Sequence, residues 1–147
     1  MHEINIKIIN KSDNELPDYA TPGAAGMDLR AFINEPVTLK SLERKLIPTG
    51  IFIEIPDGYE AQVRPRSGLA IKHGLTCLNS PGTVDSDYRG ELKVILINLS
   101  QEDHIITNGD RIAQMVFSKV QKVNLQPVTV LEATIRNEGG FGHTGHN

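Results

Sequence analysis

Hydrophobic and polar residues alternate with a period of two along most of the chain. The alternating runs are short and rich in valine and isoleucine, which is typical of strands in a sheet with one buried face. The runs cover residues 4–8, 37–39, 45–55, 59–64, 93–98, 105–106, 115–117, 120–123 and 128–131. The pattern therefore predicts an all-β fold.

Glycine and proline residues fall between the runs, for example in residues 56–58 and 108–110. Short strands joined by such turns indicate a sandwich, a jelly roll or a barrel. One segment, Ser67–His73, has helix-compatible residues and predicts one short helix, with Ser67 in a position to cap its start.

The chain has 147 residues, which suits a single domain with one core. Its net charge is −3 without a basic stripe, so we expect no nucleic acid polymer as a partner. No apolar run reaches the length of a membrane span, and the N-terminal residues lack the apolar core of a signal peptide. We therefore expect no membrane partner and a cytoplasmic location. The one cysteine, Cys77, has apolar neighbours and predicts a buried free thiol.

Residues 136–147 differ from the rest of the chain. They contain four glycines and one phenylalanine, Phe141, too little apolar surface to fold alone. We predict a β domain over residues 1–135 and a flexible C-terminal arm over residues 136–147 that closes over an active site. Ten extended residues span roughly 33 Å, far enough to reach a neighbouring subunit. The simpler interpretation is a frayed tail.

Five polar clusters interrupt the strand pattern. They occupy residues 23–31, 65–70, 82–92, 109–115 and 136–147. In the second cluster, Arg66, Ser67 and Gly68 begin the predicted helix, where backbone N–H groups favour an anion. The third cluster contains Asp85 and Tyr88 between glycines, which predicts a turn or hairpin tip, a common location for functional residues.

Each cluster also has a simpler interpretation. Asp28 is otherwise a turn residue, Ser67 only a helix cap, and the third cluster a solvated acidic tip. For Arg111, a structural role in a pair with Asp110 or Asp87 is favoured over ligand binding. The five histidines have no metal-ligand spacing.

Taken together, the clusters supply cationic and N–H groups for phosphate, a carboxylate for Mg²⁺, another for a water, and an aromatic side chain as a lid. Hydrolysis of a triphosphate requires these groups. The P-loop pattern is absent from the sequence.

The clusters, in this order, resemble the five motifs of the trimeric dUTP diphosphatase (dUTPase) family. The matching segments are Ala-Gly-Met-Asp-Leu, Pro-Arg-Ser-Gly-Leu-Ala, Gly-Thr-Val-Asp-Ser-Asp-Tyr-Arg-Gly-Glu, Gly-Asp-Arg-Ile-Ala-Gln and Gly-Gly-Phe-Gly. The resemblance implies a jelly-roll subunit and a homotrimer whose active sites draw on all three chains. It implies Mg²⁺-assisted attack of water on the α-phosphorus of dUTP, giving dUMP and diphosphate. That reaction limits uracil incorporation into DNA and supplies dUMP for dTMP synthesis.

The resemblance also implies a role for individual residues. Asp85 is the expected catalytic base, since a free aspartate is ionised at pH 7, and Tyr88 is expected to pack on the deoxyribose and exclude a 2′-hydroxyl. The uracil-reading hairpin is expected to comprise Asn79, Thr83, Val84 and Lys93. The phosphate ligands are expected to be Arg66, Ser67, Gly68, Gln114 and, for the γ-phosphate, Arg136. Asp28 is expected to hold Mg²⁺ through water, and Phe141 to stack on uracil with Gly142 alongside.

Two residues depart from the family pattern. Asn137 stands where glycine is common, which is expected to stiffen the arm, and His143 stands where serine is frequent. Two other functions stay open at this point. One is a dCTP deaminase of the same fold, and the other is a binding module without catalysis, such as a capsid-like jelly roll or a dUTP sensor.

Overall fold

The computed structural model describes residues 2–142. Within them the chain forms eleven strands and one helix, so the all-β prediction is confirmed. The strands are β1 (Lys7–Asn10), β2 (Gly26–Arg30), β3 (Val37–Leu39), β4 (Arg44–Pro48), β5 (Ile51–Glu54), β6 (Tyr59–Arg64), β7 (Leu75–Cys77), β8 (Gly82–Val84), β9 (Lys93–Asn98), β10 (His104–Ile106) and β11 (Arg111–Lys119). The helix α1 spans Ser67–His73.

The strands form antiparallel sheets, as expected for a jelly roll. A four-stranded sheet has the order β2-β11-β6-β8, and a three-stranded sheet has the order β4-β9-β7. Two further pairs, β1-β5 and β10-β3, complete the strand pairing of the described residues. Helix α1 lies between β6 and β7 in the chain and so connects the two larger sheets.

The hydrophobic core lies against one face of the four-stranded sheet. Met115 of β11 pairs with Met27 and Val63 across the sheet, and Val63 and Met115 are buried. The next row contains Gln114, opposite Asp28 and Arg64. Since successive side chains point to opposite faces, this second row is directed away from the core. The register therefore places polar side chains side by side.

The run at residues 45–55 is two strands rather than one. The chain turns between β4 and β5 at Gly50, whose φ is +71°. A Cβ atom at Gly50 would lie 2.9 Å from the Cβ atom of Ser12. Both constraints require glycine at this turn.

Other strand boundaries also differ from the prediction. The first strand begins at Lys7 rather than at Ile4, and β11 is longer than the run that predicted it. Strands β2, β7 and β8 were not predicted. The residues of β2, Gly-Met-Asp-Leu-Arg, follow a run of small residues that is typical of a turn, but Asp28 lies within the strand.

The strands predicted at residues 120–123 and 128–131 are wrong, because neither segment forms a strand. In the described chain, one backbone hydrogen bond links residues 120–142 to the body, from the N–H of Val120 to the oxygen of Gly58 at 2.9 Å. A strand needs a neighbouring ladder of hydrogen bonds, so an alternating sequence alone does not form one.

The predicted helix is confirmed, but the predicted cap is wrong. Arg66 occupies the N-cap position, and no side chain caps the helix start. Ser67 is instead the first helical residue. The helix ends at Gly74, whose left-handed conformation lets its N–H reach the last turn. No helix among the described residues is long and apolar enough to cross a membrane.

Candidate active site

One group of predicted site residues meets at the end of β6; it comprises Asp28, Arg66, Ser67, Gly68 and Gln114 and is called the cradle below. Asp28 and Gln114 lie directly opposite each other on β2 and β11. Gln114 is also opposite Arg64, the last residue of β6. The chain then passes through Arg66 into helix α1, so the sheet register brings three separate clusters together.

Asp28 lies between two arginines. Its Oδ1 is 3.1 Å from Nε of Arg66, and its Oδ2 is 3.7 Å from Nη1 of Arg111. Arg66 also donates from Nη1 to the backbone oxygen of Arg111 at 3.4 Å. The expected pairing of Arg111 with Asp110 or Asp87 is therefore wrong. Its partner is Asp28, which thereby joins the first cluster to Arg66 of the second and Arg111 of the fourth.

The Gln114 side chain fixes the backbone that leads into the helix. Its Nε2 donates to the oxygen of Pro65 at 3.0 Å. Its carboxamide lies against Gly26, where an added Cβ atom would meet Oε1 and would lie 3.3 Å from Cδ. Gly26 thus gives Gln114 the room to reach Pro65.

Ser67 and Gly68 are the first two residues of α1. Ser67 is exposed, and the first-turn N–H groups of a helix have no partner within the helix. The positive charge of Arg66 and the hydroxyl of Ser67 therefore lie beside free backbone donors. This arrangement can bind the oxygens of a phosphate group.

An open cleft of about 470 Å³ borders the cradle. It is lined by Gln62, Arg64, Pro65, Ser80, Pro81 and Gln114. Asn79 precedes Ser80 of this lining in the chain, and its Nδ2 would lie 3.0 Å from a Cβ atom added at Gly82. The start of the third cluster is thus near the cradle of the same chain.

The second group of predicted residues lies around residues 85–92, which are called the tip. The tip connects β8 of the four-stranded sheet with β9 of the three-stranded sheet. It is therefore a turn between sheets and not the end of a two-stranded hairpin, because β8 pairs with β6 and β9 pairs with β4 and β7. Thr83, Val84 and Lys93 lie on the strands that flank it, and Asp85 and Tyr88 are exposed on it.

Hydrogen bonds anchor the C-terminal end of the tip to the turn between β4 and β5. The Glu91 carboxylate accepts the N–H of Gly50 at 2.9 Å. The buried hydroxyl of Thr49 donates to the oxygen of Leu92 at 2.5 Å, and the N–H of Leu92 donates to the oxygen of Ile51 at 2.8 Å. Buried, paired polar groups of this kind hold a loop in one position.

The tip also has contacts of its own. Oη of Tyr88 donates to the oxygen of Glu91 at 2.8 Å, and Nη1 of Arg89 donates to the oxygen of Ser86 at 2.7 Å. Nε of Arg89 lies 3.7 Å from a carboxylate oxygen of Glu54. The side chain of Asp85 makes no hydrogen bond among the described residues, so its oxygens can accept a proton from water.

The tip and the cradle of one chain lie at opposite ends of the sheet. Val84 is paired with Ala61, whereas the cradle begins after Arg64. Asp85, one residue beyond Val84, is therefore about five residues along β6 from the cradle, which corresponds to about 15 Å at the rise of a strand. A single chain brings Asp28, Arg66, Ser67, Gly68 and Gln114 together, but it does not bring Asp85 to them.

The third group of predicted residues is Arg136, Phe141 and Gly142. All three are exposed, and Phe141 is fully so. Nε of Arg136 donates to the oxygen of Gly139 at 2.5 Å, a contact within the arm. No hydrogen bond joins these residues to the tip or the cradle in the described part of the chain. His143 lies outside the described residues.

Asn137 adopts a left-handed φ of +46°. This conformation favours glycine, and asparagine tolerates it better than most residues. Its Oδ1 accepts the N–H of Thr134 at 2.8 Å, and its own N–H donates to the hydroxyl of Thr134 at 3.0 Å. These two bonds stabilise the left-handed conformation of Asn137, at a position where the family commonly has glycine, and they shape the start of the arm.

Residues 2–142 contain no cluster of three or more histidine, cysteine, aspartate or glutamate side chains able to hold a metal ion. Asp28 is the one cradle carboxylate, and its side chain is 31% exposed. Mg²⁺ usually keeps several waters and takes one or two carboxylates plus substrate phosphates. The cradle therefore fits a hydrated Mg²⁺ that arrives with a phosphorylated substrate.

Comparison with known proteins gives one consistent result. The dUTPase family model matches residues 12–145. A deoxyuridine 5′-triphosphate nucleotidohydrolase of Finegoldia magna is 59% identical and covers 97% of this chain and 100% of its own. The protein of the same name from Fusobacterium nucleatum is 59% identical and covers 99% of both chains.

Solved structures show the same fold. The dUTPase of Staphylococcus bacteriophage 80alpha with dUPNHPP has a TM-score of 0.82 and 25% identity, over 97% of this chain and 99% of its own. A mutant dUTPase of phage phi11 of S. aureus, described with a structural Mg(II) ion, has a TM-score of 0.79 and 22% identity. The match covers 88% of this chain and 100% of the phage chain.

The β fold, the cradle and these matches together define a nucleoside triphosphate hydrolase with a jelly-roll subunit. Because the family model covers most of the sequence and relatives match nearly all of it, the chain belongs to the dUTPase family. Its activity is the hydrolysis of dUTP to dUMP and diphosphate, as the sequence predicted. The deaminase and the non-catalytic binding module are thereby set aside.

Sequence reasoning missed Gly26 and Glu91, which shape the site, and assigned the wrong partners to Arg111. All three make contacts with residues distant in sequence. Gly26 and Arg111 border the cradle. Their presence inside the matched segments was the available signal, but spacing alone did not reveal their partners.

Proposed function

We propose that dUTP is hydrolysed at sites that a homotrimer of this chain builds jointly. The distance of about 15 Å between Asp85 and the cradle within one chain, from the strand register, carries the proposal. In a reactive complex the water lies about 3 Å from the α-phosphorus, so its base must be close to the bound phosphates. The tip of one subunit therefore serves the cradle of another.

The arm and the segment that leads into it support the same proposal. In the described structure, residues 120–142 are mostly exposed and make one backbone hydrogen bond to the body of their own chain. Arg136, Phe141 and Gly142 then reach a site on a neighbouring subunit. There Arg136 binds the γ-phosphate, and Phe141 stacks on uracil with Gly142 alongside. Closure of this arm excludes water that is not held by the tip.

Asp85 is the catalytic base in this proposal. Its exposed carboxylate orients a water and accepts a proton as the water oxygen bonds to the α-phosphorus. The bond from that phosphorus to the oxygen bridging the β-phosphorus breaks, and diphosphate leaves with the bonding electrons. The anchored tip keeps the carboxylate in position for in-line attack.

The cradle binds the triphosphate. Arg66 supplies a positive charge whose position is set by Asp28, Ser67 supplies a hydroxyl, and Gly68 supplies backbone at the helix start. Gln114 contributes its remaining amide N–H. Asp28 would hold a hydrated Mg²⁺ through water, and Mg²⁺ bound there neutralises negative charge on the phosphate oxygens.

Base and sugar recognition are assigned to the residues around the tip. Asn79 and the backbone of Thr83, Val84 and Lys93 read the edge of uracil. A fixed donor rejects the amino group of cytosine, and such polar mismatches discriminate by about 10⁴–10⁵. Tyr88 packs on the deoxyribose, where a 2′-hydroxyl would collide with its ring. Because the substrate is a free nucleotide, a cytoplasmic location belongs to the same proposal.

The role of Asp85 is tested with the Asp85→Asn variant. We expect dUTP binding to be kept and kcat to fall by about 10²–10⁴, the usual contribution of a positioned base. Diphosphate release measures kcat, and calorimetry with dUTP measures binding. The matched control is Asp87→Asn, an exposed aspartate of the same tip, which should keep kcat. An Asp85→Asn enzyme with the kcat of the unmodified enzyme refutes the proposal.

A further inference from the structure

We propose that Gly90 is a positioning residue that sets the location of the Tyr88 ring and thereby the preference for deoxyribose over ribose. The inference rests on the sugar-recognition role proposed for Tyr88. It adds a residue that touches neither the nucleotide nor the reacting atoms. Its basis is a contact between Tyr88 and Gly90 inside the tip.

The Tyr88 ring lies directly over Gly90. A Cβ atom added at Gly90 would be 2.6 Å from Cζ and 2.9 Å from Cε1 of Tyr88, and it would also collide with the hydroxyl. Contacts this short do not occur between real side chains. Any residue other than glycine at position 90 therefore requires the ring to move.

The backbone of Gly90 does not itself demand glycine. Gly90 is absent from the described residues with positive φ, which include Gly50, Gly58 and Gly74. An alanine at position 90 would thus be compatible with the backbone. The three atoms nearest to the added Cβ all belong to the Tyr88 side chain, so the substitution tests that contact first.

The other end of the ring is also fixed. Oη of Tyr88 donates to the backbone oxygen of Glu91 at 2.8 Å. Glu91 cannot yield easily, because its carboxylate accepts the N–H of Gly50 at 2.9 Å. The ring is therefore held between an anchored acceptor and a glycine, while 45% of the residue stays exposed for a ligand.

A methyl group at position 90 would push the ring away and break its bond to Glu91. Discrimination against a 2′-hydroxyl depends on the ring lying where that hydroxyl would be. Displacement of the ring makes room for ribose and loosens its contact with deoxyribose. Asp85 lies five residues before Gly90, and its backbone oxygen accepts the N–H of Tyr88 at 3.2 Å. That bond does not involve the ring, so the chemistry should be affected less than the sugar preference.

The experiment measures kcat/KM for dUTP and for UTP in four proteins: the unmodified enzyme, Gly90→Ala, Tyr88→Ala and the double variant. We expect Gly90→Ala to lower the preference for dUTP by about tenfold, the scale for adding or removing room for one small group. In the Tyr88→Ala background the same substitution should cause no further change, since two residues acting through one contact are not additive.

A matched control separates this effect from a general glycine effect. Gly23→Ala adds a methyl group at an exposed turn where no atom lies within 4 Å of the new Cβ, and it should keep the preference. A change of preference by Gly90→Ala that persists in the Tyr88→Ala background overturns the inference, because the effect then does not pass through the ring. The same holds if Gly90→Ala keeps the full preference while Tyr88→Ala loses it.

Failure of the underlying proposal looks different. If Tyr88→Ala itself keeps the full preference for dUTP, then Tyr88 does not discriminate the sugar, and both ideas fall together. Thermal unfolding and sizing of all variants show whether the tip substitution has disturbed the fold. If Gly90→Ala does not fold, two other variants test the position of the ring through the same preference for dUTP over UTP. Gly90→Ser places a different side chain under the ring, and Tyr88→Phe removes the bond of the ring to Glu91. An unchanged preference in both would also overturn the inference.

Discussion

Asp28 shows how a single carboxylate organises the cradle. Its two oxygens face Arg66 and Arg111 at 3.1 and 3.7 Å. Pairs as exposed as these stabilise the fold by little, about 0–1 kcal/mol each. In the proposed function, their larger effect is to fix the direction of the Arg66 guanidinium before substrate arrives. A preset cation reduces the ordering cost of binding a phosphate.

Cys77 is expected to be inert in the folded enzyme. Burial raises the pKa of its thiol from 9.0 to about 11, and the thiolate is the reactive form. At about pH 8, the shift alone lowers the thiolate fraction by about a hundredfold. Reaction with a chromogenic disulfide reagent should therefore be at least that much slower in the native protein than in denaturant.

The control for this prediction is the Cys77→Ser variant, which should give no signal in either condition. A native rate close to that of the unfolded chain would contradict the burial of the thiol. Because Cys77 lies on β7, such a rate would also imply that the edge of the three-stranded sheet opens readily.

At the scale of elements, helix α1 and strand β10 meet through two histidines. The ring centroids of His73 and His104 are 4.9 Å apart. Burial, followed by the nearby His73, lowers the pKa of His104 below its ordinary 6.5, and Asp110 opposes this effect. The unfolded chain then binds a proton more readily than the folded one. Neutral His104 therefore leaves the folded state at its full stability above pH 6.5. That stability is lost as the pH falls through the lower folded-state pKa of His104.

We therefore expect stability to fall between about pH 7.5 and about pH 5.5, and His104→Asn to weaken this dependence. Urea unfolding at both pH values measures it, as a difference of unfolding free energies within each protein. The matched control is His2→Asn, an exposed histidine near the N-terminus, which should keep the dependence. An undiminished dependence in His104→Asn would exclude His104 as its source.

The strands show how far periodicity predicts this fold. Alternation predicted β6 and β9 correctly. Both form strands because each has neighbouring strands that complete its hydrogen bonds. The same alternation at residues 120–131 produced no strand, since pairing depends on a distant partner that the local pattern does not contain. Strand β2 was missed for the opposite reason. Its glycine and aspartate are typical of a turn, and only pairing with β11 makes it extended.

The site was predictable as a set of motifs but not as a geometry. The resemblance of the motifs to the family assigned phosphate and Mg²⁺ roles to Asp28, Arg66 and Gln114, which the structure places close together. The contact of Arg111 with Asp28 occurs beside a register shift between Arg111 and Ala113 on β11. Nothing in the sequence locates that shift, which explains why the partner of Arg111 was assigned wrongly.

At the scale of the whole molecule, the exposed segment of residues 120–135, which leads into the arm, requires an explanation. Six apolar side chains between residues 120 and 135 are at least 60% exposed. They are Val123, Leu125, Val128, Val130, Leu131 and Ile135. Burying such a side chain stabilises a protein by about 1.5–3 kcal/mol. Burial of all six would therefore stabilise an assembly by on the order of 10 kcal/mol per chain. Packing between the subunits of the proposed homotrimer would bury that surface.

Shared sites lead to a test with two inactive proteins. One is Asp85→Asn, which keeps its arm, and the other lacks residues 136–147 and keeps its Asp85. If base and arm reach a site from different subunits, trimers formed by refolding an equal mixture should contain some complete sites. Random assembly gives about one complete site in four, because the two contributions are drawn independently. Diphosphate release from dUTP should then recover to about a quarter of the unmodified activity.

The control replaces the first partner by a chain that carries both changes, so that no subunit supplies an arm. That mixture should stay inactive, since residual activity from the truncated chain alone would otherwise be mistaken for complementation. Sizing of the mixed sample confirms that subunits have assembled together. Assembled mixtures without recovery would mean that each chain supplies base and arm to the same site. Base and arm of one chain would then serve the cradle of another, because the hydrogen bonds that hold Leu92 and Glu91 to the turn at Gly50 keep the tip away from the cradle of its own chain.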